Sequence, residues 1–423
     1  MANTVSESVI RVVRPVAKKL LLAWERLESG VSYDLTSPKV RADPYDLYER
    51  IRVKDPVHRM RLINAWAMTG YEDAQEVLSD HKRFSSGDNK LQYAPYRTML
   101  DLDPPDHTRL RSLVSKAFTP RSVLELGPRV QEIVDELLDS VAGKERFDLI
   151  RDFAFPLPVI VIAEMLGIPA EDRDRFDVWS NDLALAVEPL LSVEEVERVE
   201  RASDEIVAYF EGIIERRRER PEDDLLSALL AAEEEGERLS HDELLGTLML
   251  LLVAGNETTR SLIGNGMLAL LKHPDQLQRL REDPQLLETA IDEMLRYDSP
   301  VQLIVRVALE EMEFRGRRFD AGQRIMVLVG AANRDPTVFV NPGALDIGRK
   351  EKSHISFGRG IHYCLGSPLA LLEARVAFAN LLERFSSIEL VSEPAFKDQI
   401  VLRGVESLWI EVERASRAAA EER

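Results

Sequence analysis

The chain has 423 residues, of which 45% are hydrophobic, and its 55 basic and 74 acidic residues give a formal net charge of −19. That length and apolar content suffice for a large buried core, while the acidic charge favours solubility and argues against nonspecific binding to nucleic acid. The single cysteine excludes an intramolecular disulfide, a four-cysteine iron–sulfur cluster and a zinc site with several thiolates, and it fits a reducing cytosol.

The first 40 residues are predicted to form a helical N-terminal extension, which precedes one domain over residues 41–423. Within the extension, the stretch Val9–Trp24 is basic and apolar, but charged residues and Pro15 interrupt it, so we expect no membrane span. A surface helix packed on the body is the expected structure, and peripheral contact with a membrane or a partner is the alternative. Because no secretory signal is evident, we expect a cytoplasmic protein.

The body begins with a predicted β-hairpin at Pro56–Thr69, followed by a helix from Tyr71. Residues 84–100 are predicted to form a mobile loop, because they are rich in small and polar residues. From His107 to about Arg296 the apolar residues recur at spacings of three and four, which predicts helix almost throughout.

After residue 300 the pattern changes to short β-branched stretches, which predict strands at Val301–Val307, Met312–Phe319 and Arg324–Val329. Helical spacing resumes over Ser367–Phe385, and the tail from Ile388 to Val412 again predicts strands. We find no internal repeat and no linker. The expected fold is therefore mainly α with a small β part.

The first candidate site lies at Asp103–Arg111, which begins a helix with proline and acid in its first turn. His107 and Arg111 are one turn apart and share one face of that helix. This face suits an anion held between the two side chains. Ordinary charge on a helix surface is the alternative.

A second candidate is Ala254–Thr259, which follows an apolar run. Gly255 weakens the helix, and Thr258 can bond back to the carbonyl four residues earlier, so a local distortion is predicted. Glu257 and Thr258 then offer an acid and a hydroxyl for proton delivery beside a cavity. A capping or surface polar patch is the alternative.

Glu293 and Arg296 place opposite charges three residues apart on one helix face. Such pairs arise often in a chain of this composition, and exposed ones contribute little to stability. The pair therefore carries no functional prediction by itself.

The only cysteine, Cys364, follows a glycine-rich loop and comes just before a predicted helix. Three glycines in nine positions indicate unusual backbone torsions or a close approach to another group. Free amides and the dipole at the helix start are expected to lower the pKa of the thiol. The residues themselves leave three interpretations open: a metal ligand, a buried core cysteine, or a nucleophile with His362 as its base.

The cysteine loop resembles the signature of the cytochrome P450 family, Phe-Gly-x-Gly-x-His-x-Cys-x-Gly. The matching residues are Phe357, Gly358, Gly360, His362, Cys364 and Gly366. The other motifs follow in the family's order, so the resemblance extends over roughly residues 43–412. It implies a single large P450-type fold around a buried heme b (iron protoporphyrin IX), with Cys364 as the ligand of the iron.

The resemblance also implies roles for the other candidates. Glu257 and Thr258 correspond to the acid–alcohol pair that delivers protons to dioxygen. Glu293, Arg296 and Arg349 correspond to a buried network that supports folding and heme incorporation. The residues expected to contact heme, the first four of them at its propionates, are His107, Arg111, Arg306, His362, Ala254, Gly255, Phe357, Cys364 and Gly366.

Substrate-lining candidates follow from the family's topology, and they are apolar, which predicts a lipophilic substrate. They are Leu250, Ala254, Val301, Leu303, Ile304 and Leu402.

The implied activity is a bacterial heme-dependent monooxygenase that hydroxylates a C–H bond of a lipophilic small molecule with one oxygen atom of O2. The 423 residues leave no room for a fused reductase, so we expect electrons from a ferredoxin and a ferredoxin reductase. Arg359 is the expected source of positive charge where the donor docks.

Three alternatives remain at this stage. A peroxide-driven peroxygenase would not need the pair Glu257 and Thr258. A non-enzymatic heme-thiolate sensor would be expected to carry a regulatory or DNA-binding element, and none is evident. A helical cysteine hydrolase would be active without heme.

Overall fold

The computed structural model describes residues 15–87, 96–169, 172–234 and 239–415. Helices dominate these ranges, and the strands gather in small sheets. The predicted mobile loop at residues 84–100 lies partly outside the described residues, as does the start of the predicted N-terminal helix.

The helices surround one long central helix, α12, whose start is fixed by a capping box between Ser240 and Glu243. The helices are α1 (Pro15–Ser29), α2 (Pro38–Ala42), α3 (Tyr45–Lys54), α4 (Tyr71–Ser79), α5 (Asp106–Ser115), α6 (Pro120–Glu125), α7 (Gly127–Ser140), α8 (Pro156–Met165), α9 (Arg173–Ala184), α10 (Val193–Glu219), α11 (Leu225–Glu234), α12 (His241–Lys272), α13 (Pro274–Glu282), α14 (Leu287–Tyr297), α15 (Val329–Ala332) and α16 (Ser367–Arg384).

The strands form a five-stranded sheet in the order β1-β2-β8-β5-β3, a three-stranded sheet in the order β4-β10-β9 and the hairpin β6-β7. Strands β2 and β8 run parallel, and the other pairs are antiparallel. The strands are β1 (Val57–Met60), β2 (Ala65–Met68), β3 (Phe84–Ser85), β4 (Arg146–Asp148), β5 (Leu303–Ala308), β6 (Met312–Phe314), β7 (Arg317–Phe319), β8 (Arg324–Leu328), β9 (Phe385–Leu390) and β10 (Trp409–Arg414).

Helix α12 is buried along most of its length and packs against α8, α9, α14 and α16. Close packing depends on small residues at the crossings. A Cβ added at Gly266 would lie 2.7 Å from the Met294 sulfur and 2.9 Å from the Phe378 ring. The apolar run that precedes Ala254 therefore lies in the central helix of the main core.

The predicted mainly α fold with a small β part is confirmed, and so are the first hairpin and the helix from Tyr71. Two details were wrong. Phe84 and Ser85 form a strand that pairs with β5, although they were expected in a loop. Strand β4 interrupts the stretch that was expected to be helical, because Arg146–Asp148 pairs with the distant β10.

The N-terminal segment packs tightly on the body. Val31, Tyr33 and Leu35, which follow α1, are buried in the main core. The Glu25 carboxylate of α1 is also buried and accepts hydrogen bonds from the backbone amides of Tyr33 and Arg61. Within the described ranges, no helix is both long and apolar enough to cross a membrane.

His58 on β1 lies between two carboxylates and is fully buried. Its Nε2 is 2.8 Å from Glu25 Oε1, and its Nδ1 is 3.0 Å from Asp55 Oδ2. Burial by itself lowers the pKa of His58, but the hydrogen bonds and charges of Asp55 and Glu25 outweigh that effect and raise the pKa above 6.5. When His58 is protonated, both ring nitrogens donate to these carboxylates, and the imidazolium links α1 to β1.

We predict that His58→Ala lowers the free energy of unfolding by about 3–5 kcal/mol near pH 6, because it leaves the buried Glu25 carboxylate without its cation. A raised histidine pKa stabilises the fold fully below the unfolded value of 6.5, and this contribution is lost as the pH rises through the folded pKa. The difference between wild type and variant should therefore shrink in alkaline urea denaturation. The exposed His241 provides the control, and an equal effect of His241→Ala would contradict the assignment.

Candidate functional site

The cysteine loop, residues 357–366, is a tight turn that precedes α16. Gly358 and Gly360 have φ angles of +70° and +68°, in the left-handed region that favours glycine. A Cβ at Gly360 would also lie 2.6 Å from the Leu78 carbonyl oxygen. The backbone amide of Cys364 donates to the Phe357 carbonyl at 2.8 Å, which closes the turn.

Neither the backbone torsion nor a neighbouring protein atom requires glycine at Gly366. Its φ is negative, and an added Cβ would meet no protein atom within 4 Å.

The predicted low pKa of the cysteine thiol was wrong. Burial raises the pKa of Cys364, although hydrogen bonds from the amides of Gly366 and Ser367 and the charge of Arg111 oppose the rise. The loop and the helix start therefore do not produce a thiolate unaided. A metal cation would, because a coordinating thiol loses its proton.

Four cationic or basic side chains converge beside this loop from three parts of the chain. His107 and Arg111 come from α5, Arg306 from β5 and His362 from the loop itself. The rings of His107 and His362 are 4.3 Å apart. Arg111 donates to the carbonyl of Tyr363, the neighbour of Cys364, so the cluster adjoins the thiol.

Among the described residues, no carboxylate forms an ion pair or a hydrogen bond with a member of this cluster. His107 and Arg306 are only 2% and 4% exposed, and neither His107 ring nitrogen nor Nε2 of His362 has a hydrogen-bond partner. The charge of Asp103 acts on Arg306 and His107, but its carboxylate accepts hydrogen bonds from Ser85 and Ser86. Unpaired donors of this kind are costly unless a ligand satisfies them.

Electrostatics reinforce that conclusion. Burial lowers the pKa of Arg306 to about 10, and burial together with the positive charge of Arg306 lowers the pKa of His362 to about 3. The cluster therefore suits a ligand with carboxylates, which would supply charge-assisted hydrogen bonds to the same donors.

The predicted acid–alcohol pair lies on α12. Thr258 is partly exposed, and its hydroxyl donates to the Ala254 carbonyl at 2.8 Å, as predicted. Ala254 is exposed and Gly255 partly exposed, although the preceding turns of the helix are buried. The predicted distortion does not interrupt the helix, which runs unbroken from His241 to Lys272.

Glu257 has two basic partners that sequence reasoning missed. Its carboxylate is 1% exposed, with Lys397 Nζ 2.5 Å from Oε1 and Arg260 Nη1 3.5 Å from Oε2. Lys397 lies 140 residues away in the sequence, so no local pattern points to it. Burial lowers the pKa of Lys397, although the charge of Glu257 opposes the change.

Glu293 lies at the centre of a buried network that joins α14 to the segment before the cysteine loop. Arg296 donates to both of its oxygens at 2.7 and 2.8 Å, and Arg349 donates at 2.9 Å. The two guanidinium groups also donate to backbone carbonyls between residues 333 and 344. All three side chains are 7% exposed or less, so this is no ordinary surface pair.

The substrate-lining candidates differ in how much of each side chain is exposed. Ala254 is exposed, and Val301 and Ile304 are partly exposed. Ile304 lies beside the cysteine loop, because a Cβ at Gly358 would be 3.6 Å from its Cδ1. The remaining three, Leu250, Leu303 and Leu402, are at most 8% exposed and belong to the main core.

Comparisons of the sequence and of the structure with known proteins match this chain to a single protein family. A family model described as Cytochrome P450 matches residues 56–406. Cytochrome P450 CYP107DY1 of Priestia megaterium is 41% identical over 89% of this chain and 97% of its own length. Vitamin D(3) 25-hydroxylase of Pseudonocardia autotrophica is 40% identical over 88% of this chain and 94% of its own. The crystal structure of myxobacterial cytochrome P450 CYP267B1 in complex with myristic acid matches with a TM-score of 0.84 and 42% identity, over 90% of this chain and 99% of that one.

We predict that Glu293→Ala lowers the free energy of unfolding by about 3–5 kcal/mol, because two buried guanidinium groups lose their counter-charge. Urea denaturation of the purified protein measures this loss. Glu288 on the same helix is the control, since its side chain is 77% exposed. Glu288→Ala should change the unfolding free energy by no more than about 0.5 kcal/mol, and equal losses in both variants would contradict the prediction.

Proposed function

The chain belongs to the cytochrome P450 family, and we propose that it is a heme b monooxygenase that hydroxylates a C–H bond of a lipophilic small molecule with O2. The family assignment makes the protein an oxidoreductase with heme monooxygenase activity. One observation supports this site most strongly: the uncompensated cluster of buried donors directly beside Cys364. In this proposal residues 41–423 form the catalytic unit, and residues 1–40 are an extension attached to it.

The residues present fit a heme. Cys364 would bind the iron, and His107, Arg111, Arg306 and His362 would bind the two propionates. Both ring nitrogens of His107 and Nε2 of His362 otherwise lack partners. Ala254 and Gly255 on one side, and Phe357 and Gly366 on the other, would face the ring. Heme bound to a thiolate supplies the activation of dioxygen and the oxidation of the C–H bond.

As the proposed ligand, Cys364 would donate electron density from its sulfur to the iron. Hydrogen bonds from the amides of Gly366 and Ser367 withdraw part of the negative charge of the sulfur. The tight turn fixed by Gly358 and Gly360 holds the sulfur in one position. These amides would therefore tune the reactivity of the bound group without taking part in the reaction.

Proton delivery would run along α12. Lys397 is 13% exposed and contacts Glu257, which precedes Thr258 in the chain. The lowered pKa of Lys397 makes its ammonium group a better proton donor. In this route Lys397 would pass a proton to the Glu257 carboxylate, and Glu257 would pass it through water to the Thr258 hydroxyl. That hydroxyl would release its own proton into the site as it accepts this one, and solvent would reprotonate Lys397.

The substrate would be lipophilic, because the candidates with free surface, Ala254, Val301 and Ile304, are all apolar. Relatives support this class: one is named for hydroxylation of vitamin D(3), and another was crystallised with myristic acid. Burial of apolar surface would supply most of the binding energy in such a site.

Electrons would come from a ferredoxin and its reductase. The exposed Tyr363 precedes Cys364, and Arg359 of the same loop is partly exposed. An acidic donor would meet positive charge there despite the net charge of −19.

Arg359→Glu should slow reduction by a ferredoxin, and an unchanged rate would remove Arg359 from the docking surface.

The proposed activity is tested by turnover of the heme-loaded protein with a ferredoxin, its reductase and NADPH. A panel of fatty acids, terpenes, steroids and macrolides is first screened by the change in heme absorption on binding. We predict that a bound compound is hydroxylated with one labelled oxygen atom when 18O2 is supplied. Product formed with hydrogen peroxide but never with electron donors would establish a peroxygenase, and binding without any oxygenated product would favour a sensor.

We predict that Thr258→Ala uncouples turnover, because the hydroxyl that receives the proton from Glu257 is lost. Product formed per O2 consumed should fall several-fold, while O2 consumption continues. Thr247→Ala is the matched control, since Thr247 makes the same back-bond on α12, at 2.7 Å to the Glu243 carbonyl. Tight coupling in Thr258→Ala would contradict the proposed route.

A further inference from the structure

Helix α1 presents an apolar stripe to solvent. Leu20, Trp24 and Leu27 are 66%, 52% and 87% exposed, and their spacing of four and three residues places them on one face. Among the described residues, no other helix, strand or loop contributes more than one exposed large apolar side chain. Single residues of that kind are ordinary, whereas three on one face of a 15-residue helix indicate a contact surface.

The opposite face of α1 is already occupied by the body of the protein. Glu25 contacts His58 and two backbone amides, and Lys18 forms an ion pair with Asp34 at 2.9 Å. Because these contacts fix the helix in place, it cannot turn its stripe inward. The stripe is therefore presented as a rigid outer surface.

Charge distinguishes this end of the protein from the rest. Residues 1–61 contain 12 basic and 8 acidic residues, a net charge of +4, whereas the whole chain carries −19. Lys19 and Arg26 are exposed on α1 next to the stripe. The nearby acid Glu28 is paired with Arg61, whose guanidinium lies 3.7 Å from the Trp24 ring centre. The flank of the stripe is therefore positive.

We propose that α1 attaches the protein to a membrane surface that contains anionic phospholipid. Apolar side chains on one face with basic residues beside them are the features that hold a helix at a lipid interface, and tryptophan favours that depth. A second copy of the chain fits less well, since paired α1 helices would bring Lys19 and Arg26 close to their equivalents. The attachment is reversible, and it places the enzyme where a lipophilic compound is concentrated.

The experiment is co-sedimentation of the heme-loaded, full-length protein with vesicles of phosphatidylcholine, with and without phosphatidylglycerol. Wild type should bind the anionic vesicles, bind phosphatidylcholine alone more weakly, and lose binding at high salt. The double variant Leu20→Ser with Leu27→Ser should lower partitioning by about ten-fold, because two apolar anchors are lost.

Leu124→Ser with Leu309→Ser is the matched control, because these leucines are 65% and 52% exposed on other elements. The control should bind like wild type, and both double variants should keep the heme absorption and unfolding midpoint of wild type. Equal binding by the α1 variant and wild type would overturn the proposal. The proposal would also be overturned, in favour of self-association, if wild type did not bind vesicles but formed a dimer that the α1 variant did not form.

Discussion

The site depends on an electrostatic imbalance. Arg111 and Arg306 bring positive charge, and His107 and His362 bring ring nitrogens, into a largely buried place where no carboxylate of the described residues pairs with them. Isolated buried charges are among the most costly features of a folded protein. A ligand with two carboxylates would remove that cost, so we expect heme binding to stabilise this region. Burial raises the pKa of the neighbouring Cys364, so its thiol would become a thiolate through a bound metal rather than through the loop.

The surrounding structure holds these groups in place. In the proposed site, Ala254 and Gly255 of α12 would form one side, and the cysteine loop would form the other. The network of Glu293, Arg296 and Arg349 fixes the segment that leads into that loop. Its two guanidinium groups share one carboxylate and donate to backbone carbonyls, whereas no carboxylate in the described part of the chain pairs with the cationic cluster. This contrast separates a structural ion network from a ligand site, although both consist of buried arginines.

Much of this arrangement could be predicted from the sequence where the pattern is local. The glycines of the cysteine loop, the back-bond of Thr258 and the pairing of Glu293 with Arg296 all follow from short spacings. Contacts between distant segments were missed, as Lys397 beside Glu257 shows. The thiol pKa was also wrong, because burial depends on the whole fold and outweighed the local amides. Spacing equally gave no sign that Leu303 is in the core while its neighbour Ile304 reaches the cysteine loop.

The central claim is that Cys364 is the thiolate ligand of a heme held by this cluster. The most direct test is the absorption spectrum of the reduced, carbon monoxide-bound protein, compared between wild type and Cys364→Ser, each reconstituted with heme. We predict the red-shifted thiolate-type Soret band in wild type and its complete loss in the variant, because a serine hydroxyl cannot replace the electron donation of the sulfur. The same red-shifted band in Cys364→Ser would contradict the account.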